Sequence, residues 1–183
     1  SLLLSTSRPN QIAKKCADAG YEYVGLTDLG TVSGCVNFIQ ACRNHNLKPI
    51  IGSEIKIKDS GTLTLICKNN SAWRELLVLI SLCNDPENYN KQPEISFEDL
   101  VKTVTPDNFI VIDGYVGSYL FYNIFEDISG ALSHHDDQSI NETLRSDWRS
   151  LGQKHLFKLQ QLFKSYYLEI NLQEFDTIPV IHI

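Results

Sequence analysis

Apolar and polar residues change period several times along the chain, and the changes divide it into helix-length and strand-length pieces. Ile12, Ala13, Cys16 and Ala17 recur at i, i+1, i+4 and i+5, the spacing that lines one face of a helix. Ser7-Arg8-Pro9 in front of them reads as a helix start, because the Ser7 hydroxyl can accept from free backbone N–H groups and proline is harmless in a first turn. Gly20 supplies a left-handed cap at the other end. A short apolar run, Tyr23 to Thr27, follows. Asp28-Leu29-Gly30 then turns the chain into a second helical segment whose apolar side is Val36, Ile39, Ala41 and Cys42, ended by Asn44-His45-Asn46.

Ile50 to Ile57 is the next strand. Lys58-Asp59-Ser60-Gly61 joins it to a return strand, Thr62 to Cys67, since Asp and Gly tolerate hairpin backbone angles. Asn70 or Ser71 caps a helix that turns Trp73, Leu76, Leu77, Leu79 and Ile80 toward the core. Residues 84–90 are a loop by composition, Ser96 to Leu100 is a short capped helix, and Phe109 to Ile112 is a strand closed by Asp113-Gly114. Residues 129–150 form a polar insert. Lys154 to Phe163 reads as a helix, with Tyr166 to Asn171 and Ile178 to Ile183 as the last strands. The alternation of strand and helix predicts an α/β fold with a largely parallel sheet. In such a sheet Asp28 and Glu54 each follow a short apolar run and leave their strands at the same edge, where α/β proteins usually place chemistry.

Composition narrows the function classes. With 183 residues the chain reads as one domain, 1–183, and a net charge of −6 argues against binding nucleic acid through overall charge. Lys14, Lys15, Lys48, Lys56 and Lys58 are scattered rather than blocked. Cys16, Cys35, Cys42, Cys67 and Cys83 are odd in number and lack C-x-x-C spacing, which points to neither a disulfide framework nor a zinc ribbon. A reducing, cytoplasmic setting follows, and no apolar run approaches the ~20 residues of a membrane helix. The absence of Met and the apolar run at the very end make the chain read as a fragment.

Candidate chemistry is sparse. Ser7 and Ser33 lack His and Asp partners for nucleophilic catalysis, and no G-x-x-x-x-G-K phosphate loop occurs. His134-His135-Asp136-Asp137 carries ligand-type residues, but consecutive ones do not readily converge on one ion, and a solvated loop is the simpler reading. His182 lies inside the final apolar run, as a hydrogen-bonded structural group or as a metal ligand at the sheet edge.

Four stretches then carry a family resemblance: Ser1-Leu2-Leu3 to Ser7-Arg8-Pro9, Leu26-Thr27-Asp28-Leu29-Gly30, Leu47-Lys48-Pro49-Ile50-Ile51-Gly52-Ser53-Glu54, and Tyr167-Leu168-Glu169-Ile170. Cys67-Lys68-Asn69-Asn70 to Leu76-Leu77 lies between them. Their order resembles the polymerase-and-histidinol-phosphatase (PHP) domain, as found at the amino terminus of the bacterial DNA polymerase III alpha subunit. The resemblance implies a distorted (β/α)7 barrel, incomplete here at both ends. It also implies His, Asp and Glu side chains at strand ends that hold divalent metal (Zn, Mn or Mg) for phosphoester hydrolysis. Asp28 matches the acid of the family's Thr-Asp-His-Gly motif, and Glu54 matches the acid of Gly-x-Glu; both are metal-ligand candidates, with His182 as a third.

The departures are as informative. Leu29 stands where the family has His, the His-x-His pair falls outside this chain, Asp113-Gly114-Tyr115 replaces Ser-Gly-Cys, and no Asn-Asp-x-His stretch occurs. The resulting expectation is a PHP domain with a degenerate metal site, acting as a structural and interaction module in DNA replication. Its implied partners are the rest of the polymerase alpha subunit and a proofreading exonuclease subunit, with DNA reached through the parent protein. The alternatives are a metal-dependent phosphoesterase or 3′–5′ exonuclease with its remaining ligands outside the chain, and a stand-alone PHP-family protein.

Overall fold

Local chemistry accounts for most element ends in the computed structural model, which describes residues 7–115, 117–132, 150 and 152–169. Helix α1 (Pro9–Asp18) takes Arg8 rather than Ser7 as its N-cap, with the Arg8 N–H donating to Gln11 Oε1 at 3.2 Å. Ala13 is buried, and Ile12, Cys16 and Ala17 pack against the same cluster. Gly20 takes a φ of +79° and lets the chain reverse into β1 (Tyr23–Leu26).

Helix α2 (Cys35–Asn44) buries Cys35, Phe38, Ala41 and Cys42, while the expected core residue Val36 is 77% exposed. The stripe is turned by one residue because Phe38 brings far more apolar area than Val36 and takes the inward seat. Strand β2 (Lys48–Lys56) runs parallel to β1, with Tyr23 opposite Lys48 and Leu26 opposite Ile51. A tight turn with Asp59 at φ +51° leads to β3 (Thr62–Cys67), antiparallel to β2.

Helix α3 (Asn70–Cys83) is capped by Asn69, whose Oδ1 accepts from the Ala72 N–H at 2.8 Å and whose Nδ2 reaches Asn108 at 3.0 Å. Asn69→Ala should cost about 1 kcal/mol in chemical denaturation, the usual worth of such a cap. The buried stripe of α3 is Ala72, Leu76, Leu79 and Cys83; Leu77, expected inside, lies a quarter-turn away and is 39% exposed. Residues 84–90 include a 3-10 turn at Pro86–Asn88, and a small hairpin, β4 (Tyr89–Asn90) and β5 (Gln92–Pro93), follows with Lys91 at φ +61°. After it Ile95 runs along the end of β2, donating to Lys56 O at 3.0 Å.

Helix α4 (Phe97–Thr103), capped by Ser96, leads to β6 (Phe109–Asp113), α5 (Tyr119–Leu132), α6 (152–162) and β7 (Tyr166–Leu168). Helix α5 runs into the polar insert expected from 129. Residues 133–149, and with them His134 to Asp137, lie outside the described residues, as do His182 and the expected strand Ile178 to Ile183.

The sheet order is β1-β2-β3-β6-β7. Its outer pairs, β1/β2 and β6/β7, are parallel, and its inner pairs, β2/β3 and β3/β6, are antiparallel. The sheet is therefore mixed rather than largely parallel, because the five-residue connection between β2 and β3 is too short for a crossover and can only reverse the strand direction. Alternation along the strands separates two faces. Ile55, Leu63, Leu65, Phe109 and Val111 join α3, α4 and α6 in the main core, and Val24, Leu26 and Ile51 pack on α1 and α2. The other face carries Glu54, Lys56, Thr64, Ile66, Ile110 and Ile112, all only half-buried. No described helix is long and apolar enough to cross a membrane.

Candidate functional site

The register between β1 and β2 decides where the two candidate acids point. Past Leu26 the parallel pairing continues as a bridge between Leu29 and Glu54: the Glu54 N–H donates to Asp28 O at 3.1 Å, and the Gly30 N–H donates to Glu54 O at 2.8 Å. Paired residues share a face and successive residues alternate, so Leu29 sits beside Glu54 on the half-buried face and Asp28 falls on the other. The surroundings agree. A Cβ built on Gly34 would lie 3.3 Å from Asp28 Oδ2, which puts that carboxylate at the start of α2, where the helix dipole favours negative charge. Burial pushes the neighbouring Cys35 thiol up to about 11, with the Asp28 charge adding to the effect.

Glu54 is enclosed differently. Its Oε1 accepts from the Thr62 hydroxyl at 2.7 Å and from the Tyr115 hydroxyl, and the two hydroxyls also abut one another. Burial, reinforced by the hydrogen bond to Glu54, pushes the Tyr115 phenol up to about 12, so it remains a neutral donor throughout the physiological range. Two features bring Tyr115 there. Gly114 adopts φ +113° after β6, and the following loop docks on β3 through the Thr62 N–H, which donates to Gly117 O at 3.0 Å. Gly61 permits the docking, since a Cβ there would meet Ser118 O at 2.0 Å.

A third acid, Asp113, is 1% exposed; in the sequence it marked the end of a strand and, with Gly114 and Tyr115, a departure from the family's Ser-Gly-Cys. It accepts from the Gly114 N–H at 2.7 Å, from the Leu120 N–H on both oxygens at 3.2 Å, and from the Tyr166 hydroxyl at 2.9 Å. Burial raises its carboxyl above the usual aspartate range, against the pull of these donors and Ser118. Asp113 thus ties β6 to the first turn of α5 and to β7. Thr62, Ser118 and Tyr166 were missed, and Tyr115 was noted only within the departure from Ser-Gly-Cys; the further sequence signal was Asp113-Gly114 with Ser118 shortly after it, a strand end facing a helix start.

These positions test the fit of a metal cluster. Among the described residues no three His, Cys, Asp or Glu side chains come together in a way that could hold a metal ion. Asp28 and Glu54 sit on opposite faces, the neighbour of Glu54 is the apolar Leu29, and Glu54 Oε1 is occupied by hydroxyl donors. The described residues do not fit such a cluster, and His182 lies outside them.

A mixed five-stranded sheet with helices on one face defines an α/β protein, and a comparison with family models defines it further. Residues 1–173 match the PHP domain model, and the chain belongs to that family. The error-prone DNA polymerase of Alkalilimnicola ehrlichii is 39% identical over 82 residues, 45% of this chain and 8% of that protein. The DNA polymerase III subunit alpha of Haemophilus influenzae is 30% identical over 120 residues, 62% of this chain and 10% of that protein. That of Bacillus subtilis is 24% identical over 139 residues, 72% and 12% respectively. The chain therefore spans about a tenth of the curated relatives it matches. A solved chain from Bifidobacterium adolescentis, a candidate metal-dependent phosphoesterase, overlays with a TM-score of 0.36 at 17% identity over 43% of this chain and 28% of that one.

Proposed function

We propose that this chain is the PHP domain of a cytoplasmic DNA polymerase alpha subunit, with a degenerate metal site, and that it serves as a structural and interaction module. The observation that carries this is the closure of Glu54 by Thr62 and Tyr115. Oε1 of Glu54 is engaged by two hydroxyl donors from its own sheet and loop, and the side chain beside it, Leu29, has no donor atom to offer a metal. Asp28, at the start of α2, supports the helix rather than a shared ion. The relatives are long polymerase subunits, which supports the rest of such a subunit as the first partner, a proofreading exonuclease as a second, and DNA as reached only through the parent protein. In that setting further strands complete the sheet toward a (β/α)7 barrel.

The test is metal content and hydrolysis in the full-length protein. After dialysis, elemental analysis should find no stoichiometric zinc or manganese. Cleavage of a model phosphodiester should stay at background, whether or not Asp28→Ala and Glu54→Ala are introduced together. Stoichiometric metal together with hydrolysis abolished by the double substitution would sink the proposal and favour a working phosphoesterase or 3′–5′ exonuclease. A reading frame without polymerase sequence would leave a stand-alone PHP-family protein.

A further inference from the structure

Helix α3 carries two stripes on opposite sides. Ala72, Leu76, Leu79 and Cys83 face the core, and at helical spacing Arg74, Leu77, Val78, Ser81 and Leu82 fall on the far side. All five are exposed, and three of them are apolar: Leu77 at 39%, Val78 at 55% and Leu82 at 38%. Single exposed apolar side chains are ordinary, but three on adjoining turns of one helix make a patch of the kind that marks an interaction surface.

The order of residues along that stripe restricts what can cover it. About a point between Leu79 and Ile80, Leu77 mirrors Leu82, Val78 mirrors Ser81, and Arg74 mirrors Asp85, an exposed residue two places beyond the helix end. Arg74 makes no ion pair among the described residues. Asp85 accepts from the Glu87 N–H on Oδ1 at 3.2 Å, which leaves Oδ2 for a second donor. A helix with a cation at one end, an anion at the other and leucines placed evenly between them is complementary to a copy of itself laid antiparallel. Arg74 of each copy then meets Asp85 of the other, Val78 fits over the small Ser81, and the leucines flank the crossing. The two helix dipoles also run in opposite senses, which favours the pairing. A partner of different sequence would call for none of this mirror order.

We infer that this chain self-associates as a two-fold dimer through antiparallel packing of α3 on α3. The patch is small, so the dimer belongs to the weak class. Helix α3 packs on the core side of the sheet, away from the face that carries Glu54, and the dimer does not depend on whether that carboxylate holds a metal.

Sedimentation velocity on the full-length protein, run as a concentration series up to roughly 100 μM, reads the association directly. The wild-type protein should shift from monomer toward dimer mass. Arg74→Glu sets an acid against Asp85, and Asp85→Arg sets a base against Arg74; each should weaken self-association at least about tenfold, with circular dichroism unchanged. An equimolar mixture of the two variants should associate again, because each then supplies the charge that the other lacks, and the double variant Arg74→Glu with Asp85→Arg should dimerise by itself. A wild-type protein that stays monomeric throughout overturns the inference, and protection of Leu77 and Leu82 from hydroxyl-radical labelling in that monomer would assign the stripe to another part of its own chain. Association that neither single substitution weakens, or that neither the mixture nor the double variant restores, overturns it as well.

Discussion

Asp113→Ala is expected to lower the free energy of unfolding by about 3 kcal/mol, a large part of the stability of a domain this size. The carboxylate is 1% exposed and accepts from Gly114, Leu120 and Tyr166, which belong to the β6 exit, the first turn of α5 and β7. Alanine strands these donors where water scarcely reaches, at roughly 1–3 kcal/mol for each group left unsatisfied. The sum is reduced because Ser118 Oγ already lies 3.1 Å from the Gly114 N–H and 3.4 Å from the Phe121 N–H and can take over part of the load. Urea denaturation would show the loss as a lower midpoint at unchanged slope. Asp113→Asn should fall between wild type and alanine, since only one end of an amide accepts.

The pH dependence of that difference has a definite sign. Burial holds the Asp113 carboxyl above its ordinary range, so as pH rises the unfolded chain gives up this proton first. Between the ordinary and the raised value the native state binds more protons, and the contribution of Asp113 to stability falls with rising pH. The gap between wild type and Asp113→Ala should therefore be widest in acid, below the usual aspartate range, and should narrow as pH climbs through the raised value. A salt-bridged aspartate does the reverse. A gap that widened with pH would mean that the hydrogen bonds, not burial, set this carboxyl.

Features that depend on neighbouring residues could be read from the sequence. The left-handed turn at Gly20, the helix end at Asn44 to Asn46, the cap at Ser96 and the hairpin turn at Asp59 before β3 all follow from local backbone preferences. The helices at α2 and α3 were visible too, but not which way they face: with Val36 and Phe38, or Leu76 and Leu77, close together, the periodicity does not choose between rotations that tertiary packing separates. Helix α5 escaped because one of its free N-terminal N–H groups is satisfied by Asp113, outside the helix and across a loop, rather than by an adjacent cap. Asp28 and Glu54 were recognisable as strand-end acids. That they diverge rests on one step of register, with Asp28 level with Ser53 and Leu29 level with Glu54, and no single-sequence pattern carries that step. Thr62 and Tyr115 are distant in sequence and chemically unremarkable until the loop after β6 folds over the hairpin.

Glu54→Ala should cost about 2 kcal/mol, and its coupling to Tyr115→Phe in a double-mutant cycle should reach about 1.5 kcal/mol, the range for hydrogen bonds to a charged acceptor. Thr62, at 9% exposure, and Tyr115 both lose the acceptor they share when the carboxylate goes, and of the two abutting hydroxyls only one can then donate to the other. Tyr115→Phe alone should cost less, because Thr62 still satisfies one bond to Glu54 Oε1. The cycle also separates the two roles open to this acid. If the hydroxyls hold Glu54, zinc or manganese added to the wild-type protein leaves the unfolding midpoint unchanged, because a ion that does not bind the native state cannot stabilise it. A metal that raised the wild-type midpoint but not that of Glu54→Ala would show the carboxylate leaving its hydroxyl partners for the ion, and a coupling near zero would show that the Tyr115 hydroxyl does not hold Glu54 in place.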